Sequence, residues 1–352
     1  MKSPLVSIAI VSFNGRRFLE GCLGSLYRQG YTPFEVILVD NGSEDGSIEF
    51  VRENFPKAKI IENRENLGFS AANNQAINCA RGKYILTLNN DTVMEDGCLK
   101  KLLSVAETSE KDVGMWAPKI LSMESRGLID SVGGLLVYPD CLATGRGRGE
   151  KDAGQYDKVE EVFIPSACCA LYKKEMLDDI GLFDEDFFAY CEDTDLGIRA
   201  RMAGWRTLSS PEAIVRHYYS GTAGGFSPLK FYLVERNRVW VAVKNLPPGY
   251  LFLSFFYTFG RYMVQTYAFI RGKGMAGKFK KESTASKLFM TLLKAYIDAF
   301  KKIPAMLLKR KEIQKKRALP PKEIKKWFKK YGISAGELIL KEQQKPFSPR
   351  RC

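Results

Sequence analysis

Residues 84–91 read YILTLNND. The first five suit a buried strand, and the strand then runs into Asn89, Asn90 and Asp91. Upstream the same shape recurs. VSIAIVSF (6–13), EVILVD (35–40) and KIIEN (59–63) are apolar strand-like runs, separated by the helical patterns FLEGCLGSLYRQ (18–29), GSIEFVREN (46–54) and SAANNQAINCA (70–80). Strands alternating with short helices predict an α/β fold, a mostly parallel sheet flanked by helices on both faces. Ligands of such sheets bind outside the carboxyl ends of the strands. Here those ends carry Ser12, Phe13, Asn14 and Gly15; Asp40, Asn41, Gly42 and Ser43; Asn63, Arg64, Asn66 and Gly68; and Asn89, Asn90 and Asp91. Any one of these clusters is ordinary turn chemistry. Four of them on one edge of one sheet predict a site.

Each cluster points to a chemistry. A carboxylate beside two amides, as at Asp91, suits a hard divalent cation that reaches the protein through one or two carboxylates while diphosphate oxygens and water complete its shell; a strand-ending cap is the plainer reading. Asp40 and Asn41, after the second strand, are placed to accept hydrogen bonds from a base or ribose. No GxGxxG follows the first strand, so a mononucleotide fits better than a dinucleotide. Farther on, FDEDFFAYCEDTDLGIRARMAGW (183–205) crowds Glu192, Asp193 and Asp195 within four residues. Asp195 and Arg199 read as an i,i+4 helix pair worth about 0.2–0.5 kcal/mol. Glu192 and Asp193 have no such partner, and one of them can serve as a general base. His217, the single His of the chain, follows the strand-like AIVRH and precedes SGTAGG, on a loop margin where an imidazole could complete a metal site.

The 352 residues, 45% apolar, are enough for one large core with appendages. No N-terminal signal pattern is present, which predicts a cytoplasmic protein. Eight scattered Cys without CxxC spacing, two of them adjacent at Cys168 and Cys169, predict reduced thiols. The formal charge of +14 is unevenly placed. Residues 1–270 hold 30 Lys/Arg against 34 Asp/Glu, whereas residues 271–352 hold 24 against 6, a net +18. An acidic body therefore carries a basic tail.

Taken together, VSIAIVSFNG, LEGCLGSL, EVILVDNGSEDGS, NRENLGFSAANNQAI, YILTLNNDT, FFAYCEDTDLGIRARMAGW, ERNRVWVAVKNLP and LLKRKEIQKKR resemble, in order and over residues 5–317, the glycosyltransferase family 2 enzymes of the GT-A (Rossmann-like) fold, and among them the rhamnosyltransferase-like group of bacterial cell-surface polysaccharide synthesis. The resemblance implies an inverting transferase that moves a sugar from a nucleoside diphosphate sugar, dTDP-rhamnose-like or a UDP-sugar, to a hydroxyl of a glycan or lipid-linked acceptor. It implies a donor pocket of Ser12, Asn14, Asp40, Asn41, Arg64, Gly68 and Asn90, with Asp40 on the base. It implies Mg²⁺ or Mn²⁺ on Asp91, with His217 as a distal ligand, and Asp193 as base with Glu192 beside it. The family often has two or three Asp where this chain has Asn89 and Asn90, which lowers the negative charge offered to a cation. Residues 1–110 would be the donor half, 111–245 the acceptor and catalytic half, and 246–352 an amphipathic, basic helical region.

In that last region, Ser254, Thr258, Arg261 and Gln265 fall on one side of a helix over 249–270, opposite Phe252, Phe255, Phe256, Phe259, Met263 and Ile270. Residues 288–303 repeat the pattern. Apolar faces with Lys-rich flanks predict peripheral contact with an anionic membrane, the alternatives being packing on the body or pairing in a homodimer. A nucleic-acid binder is the rival from another class, but the body is acidic and holds no reader motif, so no nucleic acid is expected. A sugar-phosphate nucleotidyltransferase would carry a Gly-rich, Arg-containing loop after strand one, and SFNGRRFLE is not one.

Overall fold

Apolar side chains on both faces bury β1 (Val6–Ser12) at the middle of the sheet. The computed structural model describes residues 5–31, 33–218, 227–272 and 284–340; the SGTAGG stretch lies outside them. Around β1, the elements α1 (Arg16–Tyr27), β2 (Phe34–Asp40), α2 (Ser47–Asn54), β3 (Lys59–Glu62), α3 (Gly68–Cys79) and β4 (Tyr84–Asn89) wind the parallel order β3-β2-β1-β4. On one face Ile8, Ile10, Leu86 and Leu88 pack against Leu19 and Leu23 of α1. On the other, Ala9, Ile37 and Val39 meet Ala72 and Ala76 of α3, whose small side chains let the helix lie close.

The sheet continues with mixed polarity. After β5 (Thr92–Met94) and α4 (Cys98–Thr108) come β6 (Val113–Ser122), β7 (Ile129–Val132), β8 (Leu135–Val137), β9 (Ala143–Gly145), β10 (Glu161–Val162), β11 (Cys169–Lys173), α5 (Lys174–Ile180), α6 (Glu192–Met202) and β12 (Arg206–His217). The full order is β10-β12-β6-β11-β4-β1-β2-β3, with β11 antiparallel to both β4 and β6. The run SVGGLLVY is split between β7 and β8 by Gly133 and Gly134, at φ 68° and 95°, a conformation open to glycine. The seven cysteines within the described residues are free thiols.

Asp195 and Arg199 do form the i,i+4 helix pair expected from their spacing, and the structure adds that the pair is buried and has further partners. Asp195 is wholly buried and accepts from Arg199 Nε at 2.9 Å, Lys244 Nζ at 2.8 Å and Asn245 Nδ2 at 2.9 Å. Arg199 also donates to the carbonyls of Ile180 and Leu182. These partners compensate desolvation, so α6 sits inside the protein with its charges satisfied.

The C-terminal helices are α7 (Pro228–Asn245), α8 (Pro248–Arg271), α9 (Ala285–Lys301), α10 (Ile303–Lys315), α11 (Glu323–Tyr331) and α12 (Ala335–Leu340). Ser227 caps α7 by accepting from the Lys230 amide, with Pro228 at the first helical position. Trp240 and Val241 of α7 join Phe163, Phe187, Trp327 and Tyr331 in a second core. By contrast, α8 buries Ser254, Arg261 and Ala268 while Phe252, Phe255, Phe256, Phe259, Met263 and Ile270 stand in solvent. Arg261 is held there by Asp140 at 2.7 Å and Glu235 at 2.9 Å, and Arg238 and Tyr262 bind the same Glu235.

Candidate active site

Parallel register brings the strand ends level. Ser12 lies opposite Asp40, Asp40 opposite Glu62, and Val11 opposite Asn89. The loops that follow are then locked to one another. Asn90 Nδ2 donates to Ser12 Oγ at 3.0 Å. A Cβ on Gly15 would stand 2.0 Å from that same Asn90 nitrogen, so only glycine lets the β1 loop pass there. Asn14, at φ 49°, accepts from the Glu44 amide through Oδ1 and donates its own amide to Ser43 Oγ.

Asp40 is fully buried and caps its own loop, Oδ2 accepting from the amides of Gly42 and Ser43 at 3.1 and 2.8 Å. Its Oδ1 has no partner. Asn41 links the next loop: it donates to Asn66 Oδ1 and to the Gly68 carbonyl, both at 3.2 Å, and accepts from Asn63 Nδ2 at 2.9 Å. Gly68 has φ 86°, and a Cβ on it would meet Phe188 at 2.5 Å. Arg64 is exposed, on a backbone that runs against Gly42.

Asp91 and His217 meet where β5 pairs with β12. His217 Nε2 stands 3.4 Å from Asp91 Oδ1, an oxygen with no hydrogen bond; Asn89 Oδ1 is likewise buried without a partner. The other imidazole nitrogen, Nδ1, lies 2.7 Å from Asp130 Oδ2, and Arg148 pairs with the second oxygen of Asp130 at 2.6 Å. Burial disfavours the imidazolium, but Cys168, Asp130 and Asp91 outweigh it and hold His217 protonated well above the usual imidazole range. Asp130 is held at about 2, because Arg148 and His217 overcome its burial. Among the described residues no three His, Cys, Asp or Glu side chains form a metal cage. Asp91 and His217 are thus two potential donor groups side by side, 3.4 Å apart.

Glu192 and Asp193 open α6. Asp193, partly exposed, accepts from the Ala167 amide at 3.3 Å and the Thr194 amide at 2.7 Å. Glu192 is buried, and its Oε2 has no partner. Burial raises both carboxyls, and Asp193 next to it drives Glu192 well above the usual range. The two halves of the site join at residues 167–168: Ala167 binds Asp193, while the Cys168 carbonyl accepts from the Asn89 amide at 2.8 Å and its thiol faces His217.

Sequence reasoning does not reach Asp130, Cys168, Arg236 or Asn237. The loop before α6 holds Phe188, Tyr190 and Cys191 at φ 65°, 70° and 66°, a strained run for side-chain-bearing residues. Asn237 Nδ2 donates to the carbonyls of Phe187, Ala189 and Tyr190 at 2.8–2.9 Å, and Arg236 binds the Phe187 carbonyl at 3.1 Å. The ERNRVW segment was the available signal, since polar residues inside an apolar helix need a partner.

Comparison with known proteins gives the following. A family model described as Glycosyl transferase family 2 matches residues 7–181. An N-acetylglucosaminyl-diphospho-decaprenol L-rhamnosyltransferase of Mycobacterium tuberculosis is 27% identical over 253 residues, covering 63% of this chain and 78% of that protein. An uncharacterized protein of Sinorhizobium fredii, y4gI, is 26% identical over 236 residues, covering 63% of this chain but only 25% of the relative. In structure, the mannosyltransferase PcManGT of Pyrobaculum calidifontis, solved with GDP-Man and Mn²⁺, superposes with a TM-score of 0.52 at 17% identity, covering 90% of this chain and 86% of that one. The last likeness carries the fold.

Proposed function

Because this chain belongs to glycosyl transferase family 2 through residues 7–181, we propose that it transfers a sugar, with inversion, from a dTDP-rhamnose-like or UDP-sugar donor to a hydroxyl of a glycan or lipid-linked acceptor. The observation that carries this reading is that Asp40 Oδ1, Asn89 Oδ1 and Asp91 Oδ1, at the carboxyl ends of β2 and β4, and Glu192 Oε2, at the start of α6, are among the buried acceptors without a hydrogen bond. Unpaired buried acceptors are costly and call for a ligand that donates or is positive. The donor would lie over residues of 1–110, and the acceptor would approach from 111–245.

Asp40 would accept from the base, with Ser12, Asn14, Asn41, Arg64, Gly68 and Asn90 forming the walls around the nucleotide. Asp91 Oδ1 and His217 Nε2 would be the donors to a divalent cation, since the oxygen makes no hydrogen bond and the nitrogen stands 3.4 Å from it. Such a cation, when bound, neutralises charge on the leaving diphosphate. Asp130 would hold the ring through Nδ1, and Nε2, its proton passed to solvent, would be the ligand atom. Asp193 would take the acceptor proton as the hydroxyl oxygen bonds to the anomeric carbon and the bond from that carbon to the diphosphate oxygen breaks. The proton ends on Asp193 and the electron pair on the nucleoside diphosphate. The M. tuberculosis relative, a rhamnosyltransferase by name, supports the rhamnose-like donor.

A panel of dTDP, UDP and GDP nucleotides and their sugars, titrated calorimetrically with and without Mg²⁺ or Mn²⁺, tests the donor half. Tight binding of one nucleotide in the presence of the cation is expected. Absence of binding by every member overturns the reading.

A further inference from the structure

Among the described residues, 16 of the 20 exposed large apolar side chains fall between Phe252 and Leu308. They come from three helices. Phe252, Phe255, Phe256, Phe259, Met263, Tyr267 and Ile270 line α8, at 48–70% exposure; Phe289, Met290, Leu293, Ile297 and Phe300 line α9; and Leu307 and Leu308 begin α10. Patches of this extent on soluble proteins mark interaction surfaces.

The orientation is fixed by what lies behind it. A water-facing amphipathic helix turns its apolar side to the core. α8 does the reverse: Arg261, with no exposure at all, is held by Asp140 and Glu235, while Arg238 donates to Thr258 Oγ1 at 3.1 Å and to Tyr262 at 3.0 Å. Tyr296 of α9 bonds the same Arg238 and Tyr262. Turning α8 over to hide its Phe residues would break a fully buried ion network, so its aromatic face is committed outward.

We infer that α8, α9 and the start of α10 form a platform that seats in the surface of an anionic lipid bilayer without spanning it. No described helix is long and apolar enough to cross a membrane, which leaves interfacial seating. The charge selects this occupant. Arg271, Lys287, Lys294, Lys301 and Lys302 are exposed on or beside the helices that carry the apolar face; Lys294 and Lys301 share one carboxylate, Asp298, and Lys302 pairs with Asp186, while residues 271–352 carry a net +18. Anionic headgroups match that basic excess. A second copy would set the same cations against themselves. The inference deepens the lipid-linked acceptor of the proposed function, but the surface stands on its own geometry.

The test uses the full chain in flotation with vesicles of phosphatidylcholine alone and of phosphatidylcholine with phosphatidylglycerol. Binding to the anionic vesicles is expected. Phe255→Asp and Phe259→Asp should each weaken it by about tenfold, given the transfer energy of one buried Phe. Both variants should keep the parent melting temperature and nucleotide binding, because both side chains point away from the body. Failure to float on anionic vesicles at low salt overturns the proposal. So does a concentration-dependent dimer that the same two substitutions dissolve. Nucleotide titration on the same samples separates this outcome from failure of the transferase reading, since nucleotide binding without flotation removes only the platform.

Discussion

Asp193 and Glu192 are neighbours in sequence with different surroundings: the first is partly exposed and receives two backbone amides, the second is buried with one oxygen unpaired. Accessibility favours Asp193 as the group that meets an acceptor hydroxyl, and its raised pKa brings it nearer to the strength a base needs at neutral pH. Asp193→Asn should lower kcat by roughly 10²–10⁴-fold, with the calorimetric nucleotide Kd unchanged. The base must be ionised to act. Activity should therefore fall as pH drops through the raised value, with an acid limb in kcat/KM above the ordinary carboxylate range. At the proposed cation pair, Asp91→Ala should abolish the difference that Mn²⁺ makes to nucleotide binding. On the proposed cation site, Asp130→Asn should weaken Mn²⁺ affinity about 10–100-fold by calorimetry, because Asp130 bonds the imidazole through Nδ1 and would orient its other nitrogen.

At the scale of elements, α7 serves two neighbours with consecutive residues. Arg236 and Asn237 grip the loop before α6, while Glu235 and Arg238 hold α8 and α9. Asn237→Ala removes the donor shared by three carbonyls of a strained loop. The expected result is a fall of roughly 10²-fold in kcat from misplacement of Asp193, at unchanged nucleotide affinity. How much of this is legible in sequence follows from range. The strand ends are legible because period and turn residues are local, and a parallel sheet sends its loops to one edge. Asp130 is not, because it reaches His217 only through the pairing of β7 with β6, in a Gly-rich stretch with no periodic signal. Asp195 is legible only in part, for a related reason: the i,i+4 spacing to Arg199 is real, but the burial that makes it an internal network depends on Lys244, 49 residues away. For α8, the hydrophobic pattern gives both faces and says nothing of which one points inward.

For the whole molecule, the buried ion network makes stability sensitive to acid. Glu235 has its pKa lowered from 4.5 to about 2: burial opposes the shift, and Arg238 and Arg261 more than compensate. A depressed carboxyl stabilises the fold above its unfolded value and loses that contribution as pH falls through its folded value. Glu235 should thus contribute about 3 kcal/mol at neutral pH, draining away between about pH 4.5 and pH 2, as circular dichroism across an acid titration would show. Glu235→Gln should cost about 3–5 kcal/mol in urea denaturation, since Arg261 and Arg238 would then share a single carboxylate, Asp140, among the described residues. The outward aromatic face of α8 has a kinetic consequence as well. An enzyme seated by that face meets a lipid-linked acceptor by diffusion in a plane, at a fixed height and tilt, so the encounter depends on molecules per unit of membrane area and not per unit of volume. Diluting such an acceptor with inert lipid at constant total amount should then slow the reaction, whereas diluting the whole suspension with buffer should leave the turnover of each bound enzyme unchanged.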